Sequence, residues 1–488
     1  MKELQKILRG VEVLETRGPI EVPIKQLVLN SQLISKSDLF VAISGVQSDG
    51  HQYIGAAIKA GATVVVCERL PQELVSSVGY VLVSNTQEAL AKLSSNFYGN
   101  PSEKLVLVGV TGTNGKTTVA TLLYELFMRL GYKAGLISTV INKVDGLELK
   151  ATHTTPNPIE LNGLLAKMLR EGVTHCFMEV SSHGIQQARI DGLAFDAGVF
   201  TNLTHDHLDY HGSFSKYRDV KKLFFDRLPK SAFALVNADD KNAPFILQNT
   251  DAQKLRYSLK GLSDFKAKIL EKDFTGMALQ IGSSEVWLKL IGVFNAYNIL
   301  AAYGVSVILG LESDEILAAL SQLESVQGRF EHRTLSNGAV VIVDYAHTPD
   351  ALEKVLNTIK DIGSSRAKII SVVGCGGNRD QLKRPKMGRI AAMMSDQVVL
   401  TSDNPRFEDP IEIINGIQAG ISQENLYKVV SIVDRKQAIN VALKFADKGD
   451  VVLIAGKGHE EYQEIEGVKY PFSDSLTVTE FLEHYKTI

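Results

Sequence analysis

The run KLVLVGVTGTNGKTTVATLL, Lys104 to Leu123, restricts the fold more than any other stretch of the chain. Its apolar opening is expected as a buried parallel strand. Val119, Leu122, Leu123, Leu126, Phe127 and Leu130 then recur at helical spacing, with Gly131 as a C-terminal stop. Between strand and helix lies Gly112-Thr113-Asn114-Gly115-Lys116-Thr117-Thr118. The usual phosphate loop places four residues between its first Gly and the Gly-Lys-Ser/Thr end. Here only Thr113 and Asn114 intervene. Glycines let backbone N–H groups turn towards phosphate oxygens, and the helix N-terminus adds a favourable field. Lys116 would reach the β- and γ-phosphates, and a following Thr hydroxyl would bind Mg²⁺. A glycine turn with an exposed lysine is the alternative, but strand, loop and helix together favour a nucleotide.

The same alternation recurs along the chain. CFMEV, AGVFT and FALVN follow in the middle, and AVVIVDY, KIISVVG, QVVLTSD and DVVLIAG come later. DLFVAISG and ATVVVCE come earlier. Strand-like runs alternating with helical stretches predict an α/β chain with parallel sheets. The 488 residues favour about three domains at ~100–200 residues each. Turn-rich breaks at YGNPSEK (Tyr98 to Lys104) and TLSNGAV (Thr334 to Val340) divide the chain into 1–98, 99–333 and 334–488. MKELQKILRG has helical spacing without the apolar core of a signal peptide. Ile299 to Leu311 reads as a buried helix, being too short for a bilayer, which needs about 20 residues. A net charge of -3 gives no footprint for nucleic acid or an anionic membrane. Cys67, Cys176 and Cys375 stand singly in or beside apolar runs, as expected of buried thiols in a reducing cytoplasm.

Ligands of such sheets bind beyond the carboxyl ends of the strands, so the polar residues there are the candidates for chemistry. Glu179 in MEVSSHGIQQARI follows a buried strand, where an acid is costly unless paired or bound to metal. Ser181, His183, Gln187 and Arg189 could read a polar ligand, or Ser181 could simply cap a helix. FTNLTHDHLDYHG packs His205, Asp206, His207, Asp209 and His211 together, with Lys221 and Lys222 soon after. Imidazole and carboxylate suit a divalent ion, against the alternative of a polar loop; thiolates are absent, so structural zinc is not indicated. Thr348-Pro349 opens a helix just after Asp344 and His347. Arg379 in GCGGNRD and Arg406 in SDNPRFEDP lie near strand ends, where two arginines could hold a carboxylate by paired hydrogen bonds.

GTNGKTT, MEVSSHG, TNLTHDHLDYHG, GRFE, DYAHTPDAL, GCGGNRD, DNPR and AGKGHE stand in this order. Together they resemble the Mur ligases of peptidoglycan synthesis, and the likeness runs nearly end to end. The resemblance implies an N-terminal mixed α/β UDP-binding domain, a central parallel-sheet ATPase domain and a C-terminal Rossmann-like domain. It implies a cytoplasmic, ATP-dependent, ADP-forming amide ligase that works through an acyl phosphate. Its partners would be UDP-N-acetylmuramoyl-L-alanyl-D-glutamate and meso-diaminopimelate, with no nucleic acid and no membrane insertion. L-Lysine in place of diaminopimelate, or a folylpolyglutamate synthase, are the alternatives.

Carried over by position, Gly112 to Thr118 hold the ATP phosphates, together with Asn295, Asn298, Arg329 and Asp344. Lys116, Glu179, His207 and Lys221 form the catalytic set. Thr117, Glu179, His207 and a carbamylated Lys221 serve Mg²⁺. Leu29, Ser31, Val46, Gln47 and Ser48 resemble the UDP pocket, and Thr154, Thr155, Ser181, Gln187 and Arg189 the contacts to the muramoyl dipeptide. Arg379, Asp403, Asn404, Pro405, Arg406, Gly456 and Glu460 resemble the pocket for the incoming diamino acid. One departure is Asn30-Ser31-Gln32, where the family commonly has Asp-Ser-Arg.

Overall fold

The computed structural model describes residues 1–45, 48–204, 206–363 and 366–485, so Val46, Gln47 and His205 lie outside the described residues. Three sheets follow one another along the chain. The first has five strands in the spatial order Val13–Arg17, Gly79–Val83, Ala62–Cys67, Asp38–Val41 and Leu27–Val28, parallel except at the Val13–Arg17 edge. The N-terminal helix is shorter than its spacing suggests, because Lys2–Glu3 pairs with Pro23–Ile24 and only Leu4–Ile7 is helical.

The second sheet has eleven strands. Its centre is parallel, with Val106–Thr111 between His175–Glu179 and Ala197–Phe200. Antiparallel hairpins extend both edges, Ile141–Val144 with Leu147–Lys150 on one and Gly276–Ile281 with Ser284–Leu288 on the other. Helices Lys116–Arg129 and Val293–Ile308 bury their apolar sides in one core, and Pro158–Arg170 and Phe214–Asp226 in another. The expected buried helix around Ile299 is the second of these, and its fully buried Ser306 hydroxyl is satisfied by donating to the Ala302 carbonyl at 2.8 Å.

The third sheet runs Glu331–Thr334, Val340–Asp344, Val451–Ala455, Ile369–Val373, Gln397–Leu400 and Val429–Ser431, all parallel but the first pair. TLSNGAV is therefore a hairpin within this sheet. Leu335 N–H bonds Ala339 O at 2.8 Å and Gly338 turns at φ +87°. A tight β-turn and a linker share the same Ser-Asn-Gly chemistry, so sequence alone cannot separate them. YGNPSEK does end a helix, Thr86–Tyr98, with Gly99 left-handed at φ +80°. All three cysteines are buried and free. Among the described residues no helix is long and apolar enough to cross a membrane.

Behind the third sheet's carboxyl ends is a fully buried ion pair. Arg435 donates to Asp474 through Nε at 2.8 Å and Nη2 at 2.7 Å, and both side chains are 0% exposed. Nη2 also reaches Ala455 O at 3.1 Å and Nη1 reaches Ser402 O at 3.5 Å, which ties together the turns entering Gly456 and Asp403. Removing one partner leaves a buried charge uncompensated, at a cost of ~3–5 kcal/mol. Asp474→Ala is expected to lower the thermal unfolding midpoint by several degrees. A melting curve superimposable on wild type would show that the pair carries no such load.

Candidate active site

The phosphate loop leaves Val106–Thr111 and enters helix Lys116–Arg129 as its sequence requires. A Cβ on Gly112 (φ +148°) would lie 2.0 Å from Thr201 Oγ1, and one on Gly115 (φ +88°) would lie 2.5 Å from Asn298 Oδ1. Neither position can carry a side chain. Gly115 caps the helix without a side-chain hydrogen bond, which leaves its first N–H groups for a ligand. Lys116 Nζ folds back onto Gly112 O at 3.0 Å and Thr113 O at 2.8 Å. Burial lowers its pKa, while Glu179 and Asp206 oppose the shift.

Thr201 and Asn202, which the sequence reading did not single out, hold the loop from the next strand. Asn202 O accepts from Thr113 N at 2.8 Å, Asn202 Oδ1 from Asn114 N at 3.0 Å, and Thr201 Oγ1 donates to Asn114 O at 2.6 Å. Their signal was their place just past the carboxyl end of a strand adjoining the phosphate-loop strand.

Arg329 lies just before strand Glu331–Thr334 of the third sheet and reaches the phosphate loop. Its Nη2 donates to Thr117 Oγ1 at 3.2 Å. Asp344 Oδ2 accepts from Phe330 N at 2.7 Å, and burial raises its pKa to about 6 against the pull of Arg329. Asn298 Nδ2 donates to Asn295 Oδ1 at 3.0 Å, bracing the side chain that abuts Gly115.

A cavity of about 1710 Å³ joins these parts. Its walls carry Thr113 to Thr117, Glu179, Asp206, His207, Lys221 and Arg329, and on the opposite side Arg379, Asp403, Asn404, Arg406, Gly456 and Glu460. Asn295, Asn298 and Asp344 are buried and do not line it. Leu29, Ser31 and Ser48 on the first unit do not line it. Asn30 Oδ1 accepts from Gln32 N at 3.0 Å, so the departing Asn30 caps its own short turn.

Glu179 is fully buried and accepts from Thr139 N at 2.7 Å and Thr139 Oγ1 at 3.2 Å. Its charge is felt by Lys116, whose pKa it pulls upward, and a buried carboxylate of this kind would be further relieved by a bound cation. His207, with its backbone at φ +52°, has its pKa lowered to about 4 by burial, which keeps an imidazole lone pair available. Lys221 is 1% exposed; burial and then Lys116 push its pKa well down. Its amine donates to Gly112 O at 2.8 Å and lies 4.9 Å from the Tyr217 ring. Among the described residues no three His, Cys, Asp or Glu side chains converge as a metal cage. Mg²⁺ binds through one or two carboxylates plus substrate phosphates, so this donor set fits it. Of the acidic and imidazole cluster expected from sequence, Asp206, His207 and His211 can be placed. Asp206 and His207 line the cavity, whereas His211 Nε2 lies 2.9 Å from Ser182 Oγ.

Thr154, Thr155, Ser181 and Arg189 line the cavity, and Gln187 is held against Arg189. Arg189 donates to Gln187 Oε1 at 2.6 Å and to Thr155 O at 2.6 Å, and Thr155 Oγ1 donates to Glu179 O at 2.8 Å. Ser181 caps helix Ser182–Gln186, its hydroxyl accepting from Gly184 N.

On the far wall, Arg379 and Arg406 flank Gly376, whose Cβ would meet Arg406 Nη1 at 3.0 Å. Arg406 is not an idle cation. Its Nε donates to Glu464 at 3.1 Å and its Nη1 to Gly377 O at 2.8 Å. Lys457, absent from the expected pocket set, is fully buried and donates to Asn404 Oδ1 at 3.0 Å and Glu460 Oε2 at 2.9 Å.

Family models match three stretches: "Mur ligase family, catalytic domain" at residues 23–98, "Mur ligase middle domain" at 110–306, and "Mur ligase, glutamate ligase domain" at 328–458. A Phocaeicola vulgatus protein named UDP-N-acetylmuramoyl-L-alanyl-D-glutamate--2,6-diaminopimelate ligase is 53% identical, over 97% of this chain and 98% of that one. A solved structure of the same name is 30% identical, with a TM-score of 0.70 over 100% of both chains. Folylpolyglutamate synthase from Mycobacterium tuberculosis is 19% identical, with a TM-score of 0.62 over 77% of this chain and 92% of that one, and shares the fold alone. With that likeness spanning almost its whole length, the chain belongs to the Mur ligase family.

Proposed function

We propose that this chain is an ATP-dependent, ADP-forming ligase that adds meso-diaminopimelate to UDP-N-acetylmuramoyl-L-alanyl-D-glutamate in peptidoglycan precursor synthesis. The carrying observation is one cavity with the phosphate loop on one wall and Arg379, Asn404 and Arg406 on the other. A substrate carboxylate oxygen attacks the γ-phosphorus and ADP leaves. The diamino acid's amine attacks the resulting acyl phosphate, and the tetrahedral adduct expels phosphate while the nitrogen gives up a proton. Lys116 and the loop N–H groups hold the phosphates in line, and Arg329 meets their charge. Arg189, Thr154 and Thr155 position the dipeptide, and Asn404, Arg406 and Glu460 the acceptor. Thr117, Glu179, His207 and Lys221 would hold Mg²⁺, which supplies charge neutralisation between two anions.

The same reading assigns 1–98 to the UDP end, the second sheet's unit within 99–333 to ATP, and the third sheet's unit, which opens with strand Glu331–Thr334 and continues through 334–488, to the amino acid. It puts the reaction in the cytoplasm, at a step on which cell shape and division depend. Steady-state ADP release with each substrate omitted in turn tests it. Release is expected only when ATP, the UDP-dipeptide and a diamino acid are all present, and release independent of the UDP-dipeptide would refute it.

Lys221 is read as the carbamylated lysine of the family. Burial, which lowers the Lys221 pKa, favours the unprotonated amine that adds CO₂ with loss of a proton, and the product is a carboxylate-like ligand. Lys221→Arg puts a permanent cation there and cannot form this group in the same way. It is expected to lose several kcal/mol of transition-state stabilisation, ~10²-fold or more in rate. Lys221→Ala should be partly rescued by a short carboxylic acid in the buffer. Full activity of Lys221→Arg would end the carbamate reading.

A further inference from the structure

The turn Gly456 to Glu460 faces two ways. Glu460 accepts from Lys457 Nζ at 2.9 Å and Asn404 Nδ2 at 2.7 Å on the acceptor side. His459 turns to the other side and packs on Tyr345, ring centroids 5.0 Å apart and tilted by 32°. The Arg329 guanidinium lies 4.4 Å from the Tyr345 ring, and Arg329 reaches Thr117 at 3.2 Å.

The backbone beneath this stack has no slack. A Cβ on Gly328 would lie 2.1 Å from His459 N, and one on Gly458 would lie 2.6 Å from Gly328 O and 2.9 Å from Tyr345 N. Among the described residues, Arg329 Nε and His459 Nδ1 are buried without hydrogen-bond partners. Face-to-face contact therefore contributes much of what fixes these two side chains. Burial and the neighbouring Arg329 keep His459 neutral, with a pKa lowered to about 3, so the ring adds no repulsion to the stack.

We propose that Tyr345 and His459 are positioning residues for Arg329, so that the turn carrying the acceptor residues also sets the guanidinium that meets the nucleotide. This rests on the reading of Arg329 as a nucleotide contact. It adds that a residue adjoining Glu460 acts on the ATP half of the reaction. An acceptor loop that ordered only its own pocket would not do this.

The test is binding of Mg²⁺ with a non-hydrolysable ATP analogue to the full chain by calorimetry, with no acceptor present. Its outcome is thus independent of which amino acid is ligated. Tyr345→Leu and His459→Ala are expected to weaken binding about fivefold to tenfold, the loss of one aromatic pair or cation–π contact. Tyr345→Phe and His459→Phe, which keep a ring, should stay within about twofold. In an Arg329→Ala background, His459→Ala should add nothing. Unchanged affinity in both Tyr345→Leu and His459→Ala, with melting curves showing a folded protein, would overturn the proposal. So would a His459→Ala defect confined to the acceptor KM, or one not restored by His459→Phe. A wild type that does not bind the analogue would instead remove the nucleotide reading on which the proposal rests.

Discussion

Lys116→Ala is expected to abolish ligation while leaving the fold intact. Lys116 Nζ sits on the Gly112 and Thr113 carbonyls, at the mouth of a loop whose glycines cannot accept side chains. Those two hydrogen bonds hold the ammonium where a γ-phosphate oxygen would replace the carbonyls. Transfer builds negative charge between two anions, and the alanine variant has no point charge to meet it. Loss of one preorganised donor of this kind costs ~10²–10³-fold in turnover. The fold does not depend on this side chain, because Asn202 and Thr201 hold the loop by its backbone. ADP release within threefold of wild type by a variant with an unchanged melting curve would show that the loop does not serve phosphate transfer.

Arg406→Ala is expected to shift amino-acid selection. meso-Diaminopimelate and L-lysine share a backbone end and a side-chain amine and differ by one distal carboxylate. A carboxylate withdrawn from water needs a paired donor. Arg406 lies beside Arg379 across Gly376, with Nε and Nη1 engaged by Glu464 and Gly377. These two bonds fix the guanidinium plane and leave it partly neutralised before any substrate arrives. That makes Arg406 less hungry for an anion than an unpaired buried cation would be. Cutting a hydrogen-bonded charge pair typically costs ~2–5 kcal/mol, and the existing Glu464 pair places the expectation at the low end, ~30-fold. The ratio of kcat/KM for diaminopimelate over lysine should fall by about that factor, through KM for diaminopimelate. An unchanged ratio would mean that Arg406 does not read the distal carboxylate.

The parallel strands were legible because each is a short apolar run ending in polar residues, and the phosphate loop because three local signals coincide. Partners far apart in sequence were not. Glu464 lies 58 residues beyond Arg406, and Asp474 lies 39 beyond Arg435, with no periodicity to announce either. Arg406 was read only as a partner for a substrate carboxylate for that reason. Lys457 was visible only as a residue past a strand end; its role needed the Asn404 and Glu460 oxygens beside it. The turn at Leu335 to Gly338 was legible as a break but not as a hairpin, because its turn residues resemble those of a linker. His211 looked like a ligand because sequence gives neighbours but not facing, and a short helix, Leu208–His211, separates it from His207.

The most direct test is an amino-acid panel in the ADP-release assay, with ATP, Mg²⁺ and UDP-N-acetylmuramoyl-L-alanyl-D-glutamate held saturating and the product identified by mass. Release is expected with meso-diaminopimelate, far above that with L-lysine, and a product heavier by one diaminopimelate residue. A wild type that prefers L-lysine, or that releases ADP without joining an amino acid, would contradict it.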